Sequence, residues 1–313
     1  MARIVFIGTP AFAVPSLQGL AREHTLVGVV TQPDLPAGRG QQLSEPDVKA
    51  AAHRLGVPVI QPRRLREPEA LAQLRAWAPE LIVVAAFGQI LRPEVLELPP
   101  HGCLNVHASL LPRFRGAAPI VAAILAGDAE TGVTIMRMDV GLDTGPTLAD
   151  ARLAIQRDDT ALTLAERLSI LGAGLLLDVI PPYLAGHLTA RPQAEDGALY
   201  APQLVKEAGR LNFTRPADYL ERQVRAFTPW PGTFAVWPEP SGGPPRSIKV
   251  LRAEALEGTL GPPGQVFETR QGPAVTAAVG ALLLLEVQPP GKRPMPAADF
   301  ARGAREFIGA QLL

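Results

Sequence analysis

Residues 101–120, HGCLNVHASLLPRFRGAAPI, hold the side chains whose types and spacing could do chemistry. Asn105 and His107 stand two apart at the end of a strand-like run, so extended chain turns both to one side. A second polar cluster, Asp139-Val-Gly-Leu-Asp143-Thr-Gly145, follows the next apolar run, which brings its acids to the same edge. An amide, an imidazole and a carboxylate at one edge are the parts for acyl transfer to an amine. The amide and an imidazolium hold a developing oxyanion, while the carboxylate orients and charges the imidazole. Leu110-Leu111-Pro112 forms an apolar lip beside them, flanked by Arg113 and Arg115. Other readings of these residues remain open at this point. His107 alone also fits a hydrogen-bonded turn residue. Metal ligation by His101, His107 and Asp143 has little support, because there is no thiolate pair and no His-x-x-x-His helix. Cys103 shares the face of Asn105 and His107, but inside an apolar strand it reads as a small core residue rather than a nucleophile.

Elements able to position such a set alternate along the first half of the chain. Apolar or β-branched runs at 3–8, 26–31, 57–60, 81–86 and 103–106 predict strands, and three- and four-residue apolar spacing predicts helices at 14–22, 47–54 and 68–77. Two more strands are expected at 132–138 and 147–155. A long helix follows over 162–180, started by Asp158-Asp159-Thr160 and stopped by Pro181-Pro182. The pattern is that of an open, mostly parallel sheet with helices on both faces, whose ligands gather at the carboxyl edge of the strands. The opening strand–GTPAF–helix resembles a dinucleotide turn but lacks G-x-G-x-x-G. Beyond residue 184 the sequence thins into polar, Pro- and Gly-containing chain. Short strands at 233–237, 247–255, 264–268, 274–279 and 281–287 then suggest a small β-barrel or sandwich. The expected division is a first domain at 1–189, a linker at 190–208 and a second domain at 209–313.

Composition narrows the class. The formal charge is zero, 30 basic against 30 acidic residues, so no global field announces a nucleic-acid partner. The split is uneven: residues 206–313 carry 13 Lys/Arg and 10 Asp/Glu, a net +3. One cysteine excludes an intramolecular disulfide and points to a reducing compartment. No apolar run reaches the roughly 18–20 residues of a membrane span, and the N-terminus reads as a strand rather than a signal peptide. The expectation is a soluble cytoplasmic monomer.

NVHASLLPRFRGAAPI, followed by TGVTIMRMDVGLDTGP, closely resembles the methionyl-tRNA formyltransferase family. IVFIGTPAFAVPSL, VTQPDLPAGRGQQL, VVAAFGQILRPEVL, RAFTPWPGTF and GKRPMPAADFARG extend the resemblance nearly end to end. It implies an α/β fold, a Rossmann-like formyltransferase domain with a C-terminal OB-like barrel. The implied reaction moves the formyl group of 10-formyltetrahydrofolate, a co-substrate, to the α-amine of methionyl initiator tRNA for translation initiation, without a metal. Carried over position by position, Asn105, His107 and Asp143 match the catalytic set. Ser109, Leu110, Leu111 and Pro112 match a folate-binding segment, and Gln89, Ile90 and Leu91 with the 138–143 loop resemble a pterin wall. Arg39, in PAGRG, matches an arginine that contacts the acceptor end of tRNA. Its loop, 33–44, has no hydrophobic periodicity and is expected to be mobile until tRNA orders it. Two rival classes remain: a formyltransferase acting on a sugar amine or purine precursor, and a non-catalytic RNA-binding protein on the same platform. The PAGRG loop and β domain count against the first, and the intact Asn–His–Asp set against the second.

Overall fold

The computed structural model describes residues 1–37, 42–238, 244–258 and 261–313, arranged in two compact units. The first comprises Met1–Pro119, Glu130–Ala154 and Ala165–Pro202; the second comprises Ile120–Ala129, Ile155–Leu164 and Gln203–Leu313.

The strands met up to residue 201 are β1 (Arg3–Gly8), β2 (Thr25–Val30), β3 (Leu35–Ala37), β4 (Gln42–Ser44), β5 (Val59–Ile60), β6 (Leu81–Ala85), β7 (Cys103–His107), β8 (Arg115–Gly116), β9 (Glu130–Arg137), β10 (Thr147–Ala154) and β11 (Tyr200–Ala201). The helices are α1 (Val14–Glu23), α2 (Asp47–Arg54), α3 (Pro68–Trp77), α4 (Pro93–Leu96), α5 (Pro119–Ala126) and α6 (Ala161–Leu184). Seven strands form one sheet in the order β10-β9-β7-β6-β1-β2-β5, parallel from β7 to β5, with β9 and β10 antiparallel at one edge. Burial explains why the central strands read as continuous apolar runs: β6 and β7 are covered on both faces, whereas edge strand β10 alternates. Trp77 of α3 covers one face so closely that a Cβ on Gly28 would lie 2.4 Å from its ring. On the other face, Gly172 of α6 lets that helix meet Val106 and Val133.

Two expectations need correction. The long helix does not stop at Pro181-Pro182 but runs on to Leu184. Proline's φ is itself helical, so a helix can carry it at the cost of its missing N–H bond and a clash with the carbonyl four residues back. Buried Val179 and Ile180, and the Tyr183 hydroxyl donating to His101 O at 2.7 Å, hold that last turn in place. Its start is as read, with Thr160 and Thr163 exchanging backbone-to-hydroxyl bonds of 3.2 and 3.0 Å. Within 33–44, β3 and β4 pair antiparallel. Asp34 at their base accepts from Gln61 at 2.7 Å and from Lys49 at 2.6 Å, and these hydrogen bonds, that of Gln61 first, lower its carboxyl from the usual value. Arg39 lies outside the described residues. Finally, the chain expected as a linker at 190–208 is folded through Pro202 into the first unit. Arg191 and Thr147 exchange two 2.8 Å backbone bonds, and β11 pairs with β8.

In the second unit, β12 (Thr233–Trp237), β13 (Arg246–Leu256), β14 (Val266–Thr269), β15 (Gly272–Thr276), β16 (Ala281–Gln288) and β17 (Met295–Pro296) form an antiparallel sheet ordered β12-β13-β16-β15-β14, with β17 on β16. The C-terminal tail bridges its two free edges. Leu313 exchanges bonds with Val236 of β12 at 2.8 and 3.1 Å, while Gly309 and Ala310 pair with Val266 of β14. The sheet is thereby closed into an OB-like barrel. Helices α7 (Ala217–Ala226) and α8 (Ala297–Gly303), unread in the sequence, cover it. Trp237, Phe300 and Phe307 meet edge to face in its core.

Candidate active site

β7 is buried along its length, and its alternation sends Leu104 and Val106 to one face and Cys103, Asn105 and His107 to the other. Cys103 sits in an apolar cluster with Ile82, Val84 and Val95, and burial pushes its thiol up to about 12. A thiol held neutral this firmly is no nucleophile. Asn105 and His107, nearer the carboxyl edge, meet Asp143 instead. Asn105 Nδ2 reaches Asp143 Oδ1 at 3.4 Å, and His107 Nδ1 stands 3.6 Å from Asp143 Oδ2. His107 Nε2 faces Phe114 O at 3.0 Å. A carbonyl only accepts, so Nε2 carries a proton, and the two ring nitrogens look onto two oxygen acceptors.

Asp143 is held much more tightly from elsewhere. Gly116 N of β8 donates to Asp143 Oδ2 at 2.9 Å. Gly116 has φ +113°, and a Cβ there would lie 2.6 Å from Ala201 O, so glycine alone lets this strand pair and present its N–H. Asp143 itself adopts φ +52°, a left-handed conformation that a turn must impose. The sequence placed Asn105, His107 and Asp143 at one edge, and the structure brings all three together.

The expected folate-segment residues fall into two groups. Ser109, Leu110, Leu111 and Pro112 turn back over β9, where Thr134 Oγ1 donates to Ser109 O at 2.7 Å and accepts from Leu111 N at 3.1 Å. Leu110 packs on Gly132 of β9. Gln89, Ile90 and Leu91 line a cavity of about 420 Å³, closed by Val140 from the turn that carries Asp143. Ile90 and Val140 are each over two-thirds exposed, whereas Leu91 is buried beneath them. The Gln89 amide is engaged by chain: its oxygen accepts from Leu65 N and its nitrogen donates to Arg63 O. Arg64, Arg66 and Arg92 add cationic groups to the same cavity. Among the described residues, no group of three or more His, Cys, Asp or Glu could hold a metal ion.

Two family models match this chain, formyl transferase over residues 2–180 and the formyl transferase C-terminal domain over residues 203–305. Methionyl-tRNA formyltransferase of Myxococcus xanthus is 51% identical over 310 residues, covering 99% of this chain and 97% of that one. The chain belongs to the methionyl-tRNA formyltransferase family. The enzyme of the same name from a Roseiflexus species is 46% identical over 314 residues, covering 99% and 95%. Among solved structures the formyltransferase fold also matches a sugar 3N-formyl transferase, WlaRD, crystallised in the presence of dTDP and 5-N-formyl-THF. The TM-score is 0.66 at 18% identity, over 94% of this chain and 99% of that one.

Sequence reasoning missed four groups at this candidate site: Phe114 O, Gly116 N, Thr134 and Gln193. Gly116 and Thr134 lie inside the motifs already singled out, but their roles depend on pairing partners far along the chain. Gln193 carried no signal, because it sits in chain expected as a linker.

Proposed function

We propose that this formyltransferase moves a formyl group from 10-formyltetrahydrofolate to the α-amine of methionyl initiator tRNA. The observation that carries this reading is the convergence of Asn105 Nδ2 and His107 Nδ1 on one carboxylate at a sheet edge. Membership of the methionyl-tRNA formyltransferase family, at 51% identity to a relative of that name, supports the choice of acceptor. The co-substrate supplies an activated formyl carbon on an aromatic amine nitrogen. The cavity lined by Gln89, Ile90, Leu91 and Val140 suits it: apolar Ile90 and Val140 would face a flat heterocycle, and the arginines would meet the carboxylates of its glutamate.

In this reading Asn105 and His107 are catalytic residues. Asn105 donates from Nδ2 and His107 from Nδ1, which at 3.6 Å from Asp143 Oδ2 makes no hydrogen bond to it, to the oxygen that gains charge as the amine attacks, each donor contributing about 3 kcal/mol. Asp143 supplies the counter-charge to the imidazolium and collects the amine's proton, directly or through a water. The folate nitrogen leaves with a proton as its bond to the formyl carbon breaks. Ser109, Leu110, Leu111 and Pro112 form the folate-side lip, and the second unit with Arg39 holds the acceptor arm. The test offers 10-formyltetrahydrofolate with methionylated initiator tRNA, free methionine and a nucleotide-linked amino sugar side by side. Formylation of the tRNA alone is the expected result. Preference for the sugar, or no transfer to any acceptor, overturns the reading.

A further inference from the structure

Asp143 stands in a left-handed turn; Gly116 N holds one carboxylate oxygen at 2.9 Å, and the backbone of the turn needs an anchor of its own. One side chain grips the backbone of that turn. Gln193 Nε2 donates to Asp143 O at 2.8 Å and to Gly145 O at 2.7 Å. Its oxygen accepts from Arg115 Nε at 3.1 Å, and the Arg115 side chain is only 12% exposed. The amide's orientation is fixed by its partners, since carbonyls only accept and a guanidinium only donates. Gln193 is itself held at both ends. Two residues earlier Arg191 pairs with Thr147, and seven residues later β11 pairs with β8, whose Gly116 donates to the Asp143 carboxylate. Chain 191–201 is therefore a strap laid across the turn.

We propose that Gln193 is a positioning residue for formyl transfer, acting through Asp143. It rests on the reading of Asp143 given above. The chemistry demanded of this position is narrow: two N–H donors for two carbonyls and one acceptor for a guanidinium, at the end of a side chain of this length. Glutamine meets all three needs. Glutamate keeps the acceptor for Arg115 but sets an oxygen against both carbonyls, which makes it the informative substitution.

The test is steady-state kinetics of the full chain with 10-formyltetrahydrofolate and methionylated initiator tRNA, for Gln193→Glu, Gln193→Ala, Asp143→Asn and Gln193→Glu combined with Asp143→Asn. Misplacement by a fraction of an ångström to an ångström sets the scale, roughly 10–10²-fold in kcat. Both Gln193 variants are expected to lose that much, with KM for the donor changed less than about threefold. In the Asp143→Asn background Gln193→Glu is expected to cost less than about twofold more, because residues acting as one unit are not additive. Wild-type kcat for Gln193→Glu overturns the proposal. So does its full loss repeated in the Asp143→Asn background, or a loss that disappears below a lowered melting temperature. Wild-type turnover of Asp143→Asn overturns the catalytic reading first, and the role of Gln193 with it.

Discussion

In the proposed reading Asn105, His107 and Asp143 carry the chemistry, and the burial of the first two makes their removal informative. Asn105 and His107 are 9% and 5% exposed, polar side chains in a strand buried along its length. Asn105→Ala and His107→Ala are each expected to lower kcat by roughly 10²–10³-fold, the loss seen for one oxyanion donor. Steady-state formylation beside a thermal melt checks this: near-parental turnover at saturating substrates would falsify the assignment. Cys103 makes a different prediction on the same face of β7. Burial raises its thiol from 9.0 to about 12. The unfolded chain therefore loses this proton at a lower pH than the folded one. The stability due to the neutral thiol is complete below about pH 9 and is lost as pH rises from there toward 12, at about 1.4 kcal/mol per pH unit. Unfolding free energy measured between pH 9 and 10.5 should fall more steeply by that amount in the parent than in Cys103→Ala. Parallel slopes would mean that the folded site lets the thiol ionise freely.

The elements decide where these side chains stand. β7 delivers Asn105 and His107, but the chain must then leave the sheet and turn back, and two hydroxyls organise that turn: Ser109 Oγ donates to Arg113 O at 2.6 Å, and Thr134 ties the turn to β9. Thr134 of β9, 1% exposed, bonds both Ser109 O and Leu111 N. Thr134→Val preserves shape and strand propensity while leaving a buried carbonyl and an N–H without partners, a cost of about 1–3 kcal/mol for each such group. The variant is expected to be less stable in denaturant and to need more 10-formyltetrahydrofolate for half-saturation, since Leu110 and Leu111 lose their register. An unchanged KM for the donor would separate this turn from the folate side of the site.

At the scale of the whole molecule, one tail does the work of a strand. Residues 309–313 join the edges of β12 and β14, and Leu312 between them is 3% exposed. Leu312→Ala removes buried side chain and leaves a cavity at the closure, a loss of about 2–5 kcal/mol. Calorimetry should show a lower-temperature transition. A melting profile identical to the parent's would mean that the barrel holds its shape without this seam.

Much of this was written locally in the chain. Continuous apolar runs and helix spacing placed β1, β6, β7, α2 and α3 almost to the residue, because burial on both faces or one face is a property of the segment itself. The motif residues named Asn105, His107 and Asp143 together, since a strand's alternation and the strand-edge rule act over short distances. The run of α6 through two prolines was not legible, because buried side chains and a Tyr183–His101 contact outweighed the local signal. Nor was the strap. Gln193 is 50 residues from Asp143 and 78 from Arg115, in chain with no periodicity to read. Side-chain types and their spacing determined which chemistry was available; only the tertiary fold decided what holds the carboxylate in place, because hydrogen bonds between distant segments leave no pattern in either one alone.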